Sequence, residues 1–173
     1  MRDHYCLHNK RQRQQVIKEL DRLLRHWRTE FFLRAWVFVV EQVEERWSLD
    51  DGTVDAALSV RTFSNPDYKR ARFLIWVDDT GCVDQRGLED TACHEMLHVA
   101  LSPISHGYEK VLENQLTAGQ MDLLLPLLYG PEEGVIEDLT YNLVEAKLAD
   151  DLRAKAKRRR KKRARAKKSP AGS

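Results

Sequence analysis

Between Asp90 and Leu101 the chain reads Asp-Thr-Ala-Cys-His-Glu-Met-Leu-His-Val-Ala-Leu. This stretch contains His94-Glu95-Met96-Leu97-His98, the pattern H-E-x-x-H. In a helix, residues four apart stand one above the other on the same face. His94 and His98 can then offer two imidazole nitrogens to one Zn²⁺. Glu95 sits beside them, in reach of a water that such a metal would activate, as a general base. The segment has neither Gly nor Pro, and Asp90 or Thr91 can cap its start. Pro103 predicts its end, because a proline disfavours the α region in the residue before it. Ala92, Cys93, Leu97, Ala100 and Leu101 are apolar, so the helix belongs in a core. Two histidines and a glutamate on a buried helix are costly unless they are paired or bind metal.

The net charge of +2 hides a strong asymmetry. Residues 153–168 carry twelve Lys or Arg, and no acid follows Arg153. Removing those twelve from the 29 basic residues leaves 17 against 27 acids, a net of −10. The chain is an acidic domain with a basic tail. Its 173 residues predict one domain over 10–152, after a flexible N-terminus at 1–9 and before a basic disordered tail at 153–173. Cys6, Cys82 and Cys93 form no C-x-x-C and no even set, which predicts a reducing, cytoplasmic setting. No apolar run approaches the ~20 residues of a membrane span, so no membrane partner is expected.

The remaining elements follow from periodicity. Val16, Leu20, Leu23, Leu24 and Trp27 make one helical stripe within residues 10–27. Trp36-Val37-Phe38-Val39-Val40 opens a β-branched run that predicts a strand at about 36–45. Asp50-Asp51-Gly52 marks a turn. Residues 56–63 alternate as a strand, Asn65-Pro66-Asp67 turns, and Tyr68–Val77 returns as a hairpin partner. Residues 78–84 read as a loop, and 108–116 as a short helix. Pro131 opens a last helix with Glu132 and Glu133 at its positive end. Ile136, Leu139, Thr140 and Leu143 form its core face. The expected fold is α+β: an N-terminal helix, a small, mainly antiparallel three-stranded sheet, the H-E-x-x-H helix, then C-terminal helices.

Catalytic zinc takes three protein ligands and keeps one position open. Two arrangements compete for the third ligand. One is a glutamate of the last helix, among Glu132, Glu133 and Glu137. At 100° per residue Glu133 lies about 60° from Ile136 and Glu137 about 100°, so Glu133 is better aimed inward. The other is His106, in Ser105-His106-Gly107-Tyr108-Glu109.

With these residues the sequence resembles the glutamate-zincins, the thermolysin-like class. Glu133-Gly134-Val135-Ile136-Glu137 is similar to that class's E-x-x-x-D element. The resemblance implies Glu133 as zinc ligand and Glu137 as the acid supporting a histidine, with Glu standing where the pattern has Asp. The metzincin pattern fails, since it needs Gly at Leu101 and His at Ile104. The SprT-like proteases are similar at H-E-M-x-H followed by H-G-x-E, although the gap from His98 to His106 is short for them. Residues 94–104 also resemble small phage and prophage proteins classed as metallopeptidases, over roughly residues 10–150.

The activity implied is a zinc-dependent metalloendopeptidase acting on a protein or peptide, within a bacterial host cell if phage-encoded. His106, Tyr108 and Tyr141 are candidate oxyanion partners, and residues 68–77 a candidate strand for holding substrate by strand addition. A non-catalytic zinc-binding protein is the alternative. The tail at 153–168 adds a possible non-specific nucleic-acid partner.

Overall fold

The computed structural model describes residues 4–44, 57–78 and 81–168. The Asp50-Asp51-Gly52 turn and the end of the tail, 169–173, lie outside the described residues. The elements run β1 (His4–Cys6), α1 (Lys10–Glu30), β2 (Val37–Gln42), β3 (Leu58–Asn65), β4 (Arg70–Val77), β5 (Cys82–Asp84), α2 (Gln85–Glu113) and α3 (Ala118–Lys168). The fold is α+β.

Helix α1 forms where its stripe requires. Asn9 caps it by accepting from the Arg11 amide at 2.9 Å. Val16, Leu20, Leu23, Leu24 and Trp27 are all buried. Phe32 at φ 58° then breaks the helical run, and the Arg28 guanidinium holds the turn by donating to the Leu33 and Arg34 carbonyls.

The three-stranded sheet has the order β2-β4-β3. The β3–β4 hairpin forms as expected, with Leu58 opposite Val77 and Asn65 opposite Arg70. The other ladder corrects the expectation of a mainly antiparallel sheet, because β2 runs parallel to β4. A parallel neighbour needs a long crossover, and the chain between β2 and β4 supplies it. This places β4 in the centre, where Ala71, Phe73 and Ile75 face the core. Residues 68–77 are therefore not the edge of the sheet; among the described strands β2 and β3 are.

The N-terminus is not loose from His4 onward. β1 pairs antiparallel with β5, a strand within the expected 78–84 loop, and Leu7 is fully buried. Three-residue strands are too short to leave a periodic signal. Their pairing sets Cys6 opposite Cys82, with the two free thiols 3.3 Å apart.

Helix α2 departs from expectation at both ends. It starts at Gln85, where Asp84 accepts from the Gly87 amide at 2.8 Å. It also continues through Pro103 to Glu113, absorbing the expected helix at 108–116. Proline leaves the carbonyl four residues back without its donor, here that of Val99. The Ser102 hydroxyl donates to that oxygen at 2.9 Å.

Helix α3 likewise runs through Pro126 and Pro131, so Pro131 does not start it. Both prolines are exposed, where water can satisfy the freed carbonyls. The helix does not stop at 152 either, and residues 153–168 continue it rather than forming a disordered tail. Beyond Met121 its buried positions are Ile136, Thr140 and Val144, a four-residue step, whereas Leu139 is 39% exposed.

The helices are tied together at Glu89, which is 3% exposed. The Trp27 indole of α1 donates to one carboxylate oxygen at 2.9 Å. Lys147 of α3 donates to the other at 2.7 Å. Glu89→Ala leaves the buried Trp27 indole N–H unpaired and the half-buried Lys147 ammonium with Asp151 alone, so a loss of about 1–3 kcal/mol is expected. Urea unfolding checks it; a loss under about 1 kcal/mol contradicts this role. A second expectation concerns the thiols. Oxidised glutathione should couple Cys6 to Cys82, lower the titratable thiols from three to one, and stabilise the fold by about 2–4 kcal/mol. Three thiols after treatment, by thiol titration of unfolded protein, would contradict the geometry.

Candidate metal centre

His94 and His98 stand one turn apart on α2, in the stretch that faces both β3 and α3. Their Nε2 atoms are 3.1 Å apart. Helix α3 brings Glu133 across from them. Its two oxygens lie 3.5 Å from His94 Nε2 and 3.3 Å from His98 Nε2. Zinc bonds of 2.0–2.1 Å in a tetrahedron require ligand atoms about 3.3 Å apart. The two imidazole nitrogens sit near that edge length and each faces one of the two Glu133 oxygens at a similar distance; taking one atom per residue, the three donors lie within 4.8 Å of one another. Among the described residues His94, His98 and Glu133 form the one group of three such donors close enough to share an ion. The donor set, two imidazoles and a carboxylate with the fourth side toward a cleft, fits zinc.

Antiparallel packing of α2 and α3 makes this possible. Arg86 meets Glu145, Glu89 meets Lys147, the histidines meet Glu133, and Ser105 meets Glu132. From Glu89 onward the contacts climb along α2 as they descend α3. The Ser105 hydroxyl bonds both Glu132 oxygens, at 3.0 and 2.9 Å, which engages Glu132 and leaves Glu133 for the histidines.

Burial holds the His94 pKa below the usual imidazole value, and neighbouring His98 adds to this, while Glu133 and Glu137 oppose it. The neutral ring is the form that binds metal. Glu95 is 9% exposed. Burial pushes its pKa up to about 7, the Thr62 hydroxyl lowers it by donating to Oε2, and Glu133 raises it. A nearby cation would draw that value down.

These groups line a cleft of about 540 Å³ between β3, α2 and α3. β3 contributes Val60, Arg61, Thr62 and Ser64, and α3 contributes Tyr129, Glu132 and Glu133. His106 also reaches the cleft, from α2 rather than from a loop. It stands apart from the donor group, 3.4 Å from Asp67 and 3.5 Å from Glu109. Glu137 lines the adjoining groove with Thr140 and Tyr141, and makes no hydrogen bond to either histidine among the described residues. Tyr108 is 63% exposed and lies outside the cleft.

Sequence reasoning did not single out Arg61, Thr62 or Tyr129. Alternation on β3 placed Leu58, Val60 and Thr62 on one face, but nothing in the sequence said that this face meets Glu95. A scan against protein-family models, a search of curated proteins and a search of solved structures each returned no match.

Competition against a chromophoric zinc chelator is the check on the donor set. Glu133→Ala should weaken zinc binding by at least tenfold and His106→Ala should leave it within about threefold. Equal effects of the two changes would contradict the assignment.

Proposed function

We propose that this chain is a zinc-dependent peptidase of the minimal glutamate-zincin kind, with His94, His98 and Glu133 as ligands and Glu95 as general base. The observation that carries the reading is the joint one: three donors within 4.8 Å of one another and a buried carboxylate next to them, all lining one cleft. Zn²⁺ supplies a Lewis acid there, one that polarises a carbonyl and makes a water acidic. Glu95 takes the proton of the attacking water and returns it to the leaving amine. Thr62 fixes the orientation of Glu95 by its hydroxyl. β3, rather than residues 68–77, presents the strand edge to the cleft, and an extended peptide added there would pass the site. Arg61 and Tyr129 are the cleft residues available to a developing oxyanion. His106 is tied to Asp67 and Glu109, which favours the glutamate over the SprT-like arrangement.

Glu95→Gln should keep zinc and lose hydrolysis by about 10²–10⁴-fold in kcat, measured on a mixed peptide library with zinc content determined in parallel. Undiminished cleavage by the variant would sink the mechanism. A zinc-loaded wild type that cleaves nothing in the library would favour the non-catalytic zinc-binding alternative.

A further inference from the structure

Among the described residues, the acidic domain makes no ion pair with the cations from Lys155 to Lys161. Residues 153–161 are exposed along the extension of α3. Arg153 pairs within its own helix, with Asp150 at 3.1 Å. None of the cations from Lys155 to Lys161 has an ion pair among the described residues. The neighbouring acids Glu145 and Asp151 pair with Arg86 and Lys147, not with the tail.

At 100° per residue, Arg153, Lys155, Lys157, Arg158, Arg159, Arg160 and Lys161 point to every side of the helix. The only other residues between 153 and 168 are alanines, so the segment has no apolar stripe. A helix lying on a lipid surface needs one apolar side and one basic side. A helix charged all round instead suits a site with phosphates on both flanks. The major groove of duplex DNA is such a site, about 12 Å wide, and takes a helix about 10–12 Å across. No aromatic residue interleaves the cations, so stacking on unpaired bases has no platform. The deep, narrow major groove of duplex RNA does not admit a helix.

We propose that residues 153–168 are a duplex-DNA-binding helix, reading phosphates rather than sequence and rigidly continuous with the helix that carries Glu133. Contact with phosphates releases counterions, so affinity falls steeply with salt. This inference does not depend on the peptidase reading.

The test is fluorescence anisotropy of the full chain on a random-sequence DNA duplex, with EDTA present so that the metal centre plays no part. Six phosphate contacts should weaken binding about a thousandfold between 50 and 200 mM salt. The variant Lys155→Gln, Lys157→Gln, Arg158→Gln, Arg159→Gln, Arg160→Gln and Lys161→Gln keeps good helix formers, and circular dichroism checks its fold. It removes six of the twelve cations, so it should lose at least tenfold in affinity and about half of the salt slope. Binding that is absent at 50 mM salt, independent of salt, or unchanged in this variant would overturn the proposal. So would tighter binding at equal salt to single-stranded DNA, to duplex RNA or to phosphatidylserine vesicles.

Discussion

A carboxylate buried to 3% exposure has to be paired, and the arrangement of the helices follows from pairing Glu89. Trp27 reaches it from α1 and Lys147 from α3. The second of these contacts fixes the register of α3 against α2. Fourteen residues back along α3 from Lys147 stands Glu133. It lies beside His94 and His98, which follow Glu89 by five and nine residues on α2. The same antiparallel register sets Glu132 against Ser105. One helix thus carries the tie to Glu89, the third candidate donor and the basic extension.

Both proline-containing helices show how a local rule yields to a specific partner or to solvent. At Pro103 the orphaned Val99 carbonyl is satisfied by Ser102, so α2 keeps going and carries Ser105 and Glu109 to the far end of the cleft. At Pro126 and Pro131 the helix surface is open to water. Without continuity through Pro131, Glu133 would sit in a first helical turn, with far less to fix its angle.

What the sequence made legible was what short spacing controls. The stripe of α1, the β3–β4 hairpin and the pairing of two histidines on one helical face all follow from periods of 3.6 and 2. What it hid was set by distant contacts. The β1–β5 ladder joins residues 76 to 80 positions apart, in segments each too short for a pattern. The parallel placement of β2 depends on a crossover, not on β2 itself. Leu139 seemed a core residue by a three-residue step, but α3 buries Ile136, Thr140 and Val144. Thr62 could be placed on a strand face, yet its partner Glu95 lies 33 residues away. Even so, Glu133 could be preferred over Glu137 by helical angle alone, because that comparison is local to one helix.

The central claim is that this cleft holds one zinc ion by two imidazoles and one carboxylate. Zinc K-edge X-ray absorption on the loaded protein tests it most directly. The account predicts four-coordinate zinc, with two imidazole nitrogens at about 2.0–2.1 Å and the remaining ligands oxygen at about 2.0–2.2 Å. The imidazole scattering should persist, with one oxygen shell weakened, in Glu133→Ala. A three-imidazole site, or zinc carrying only water, would contradict it.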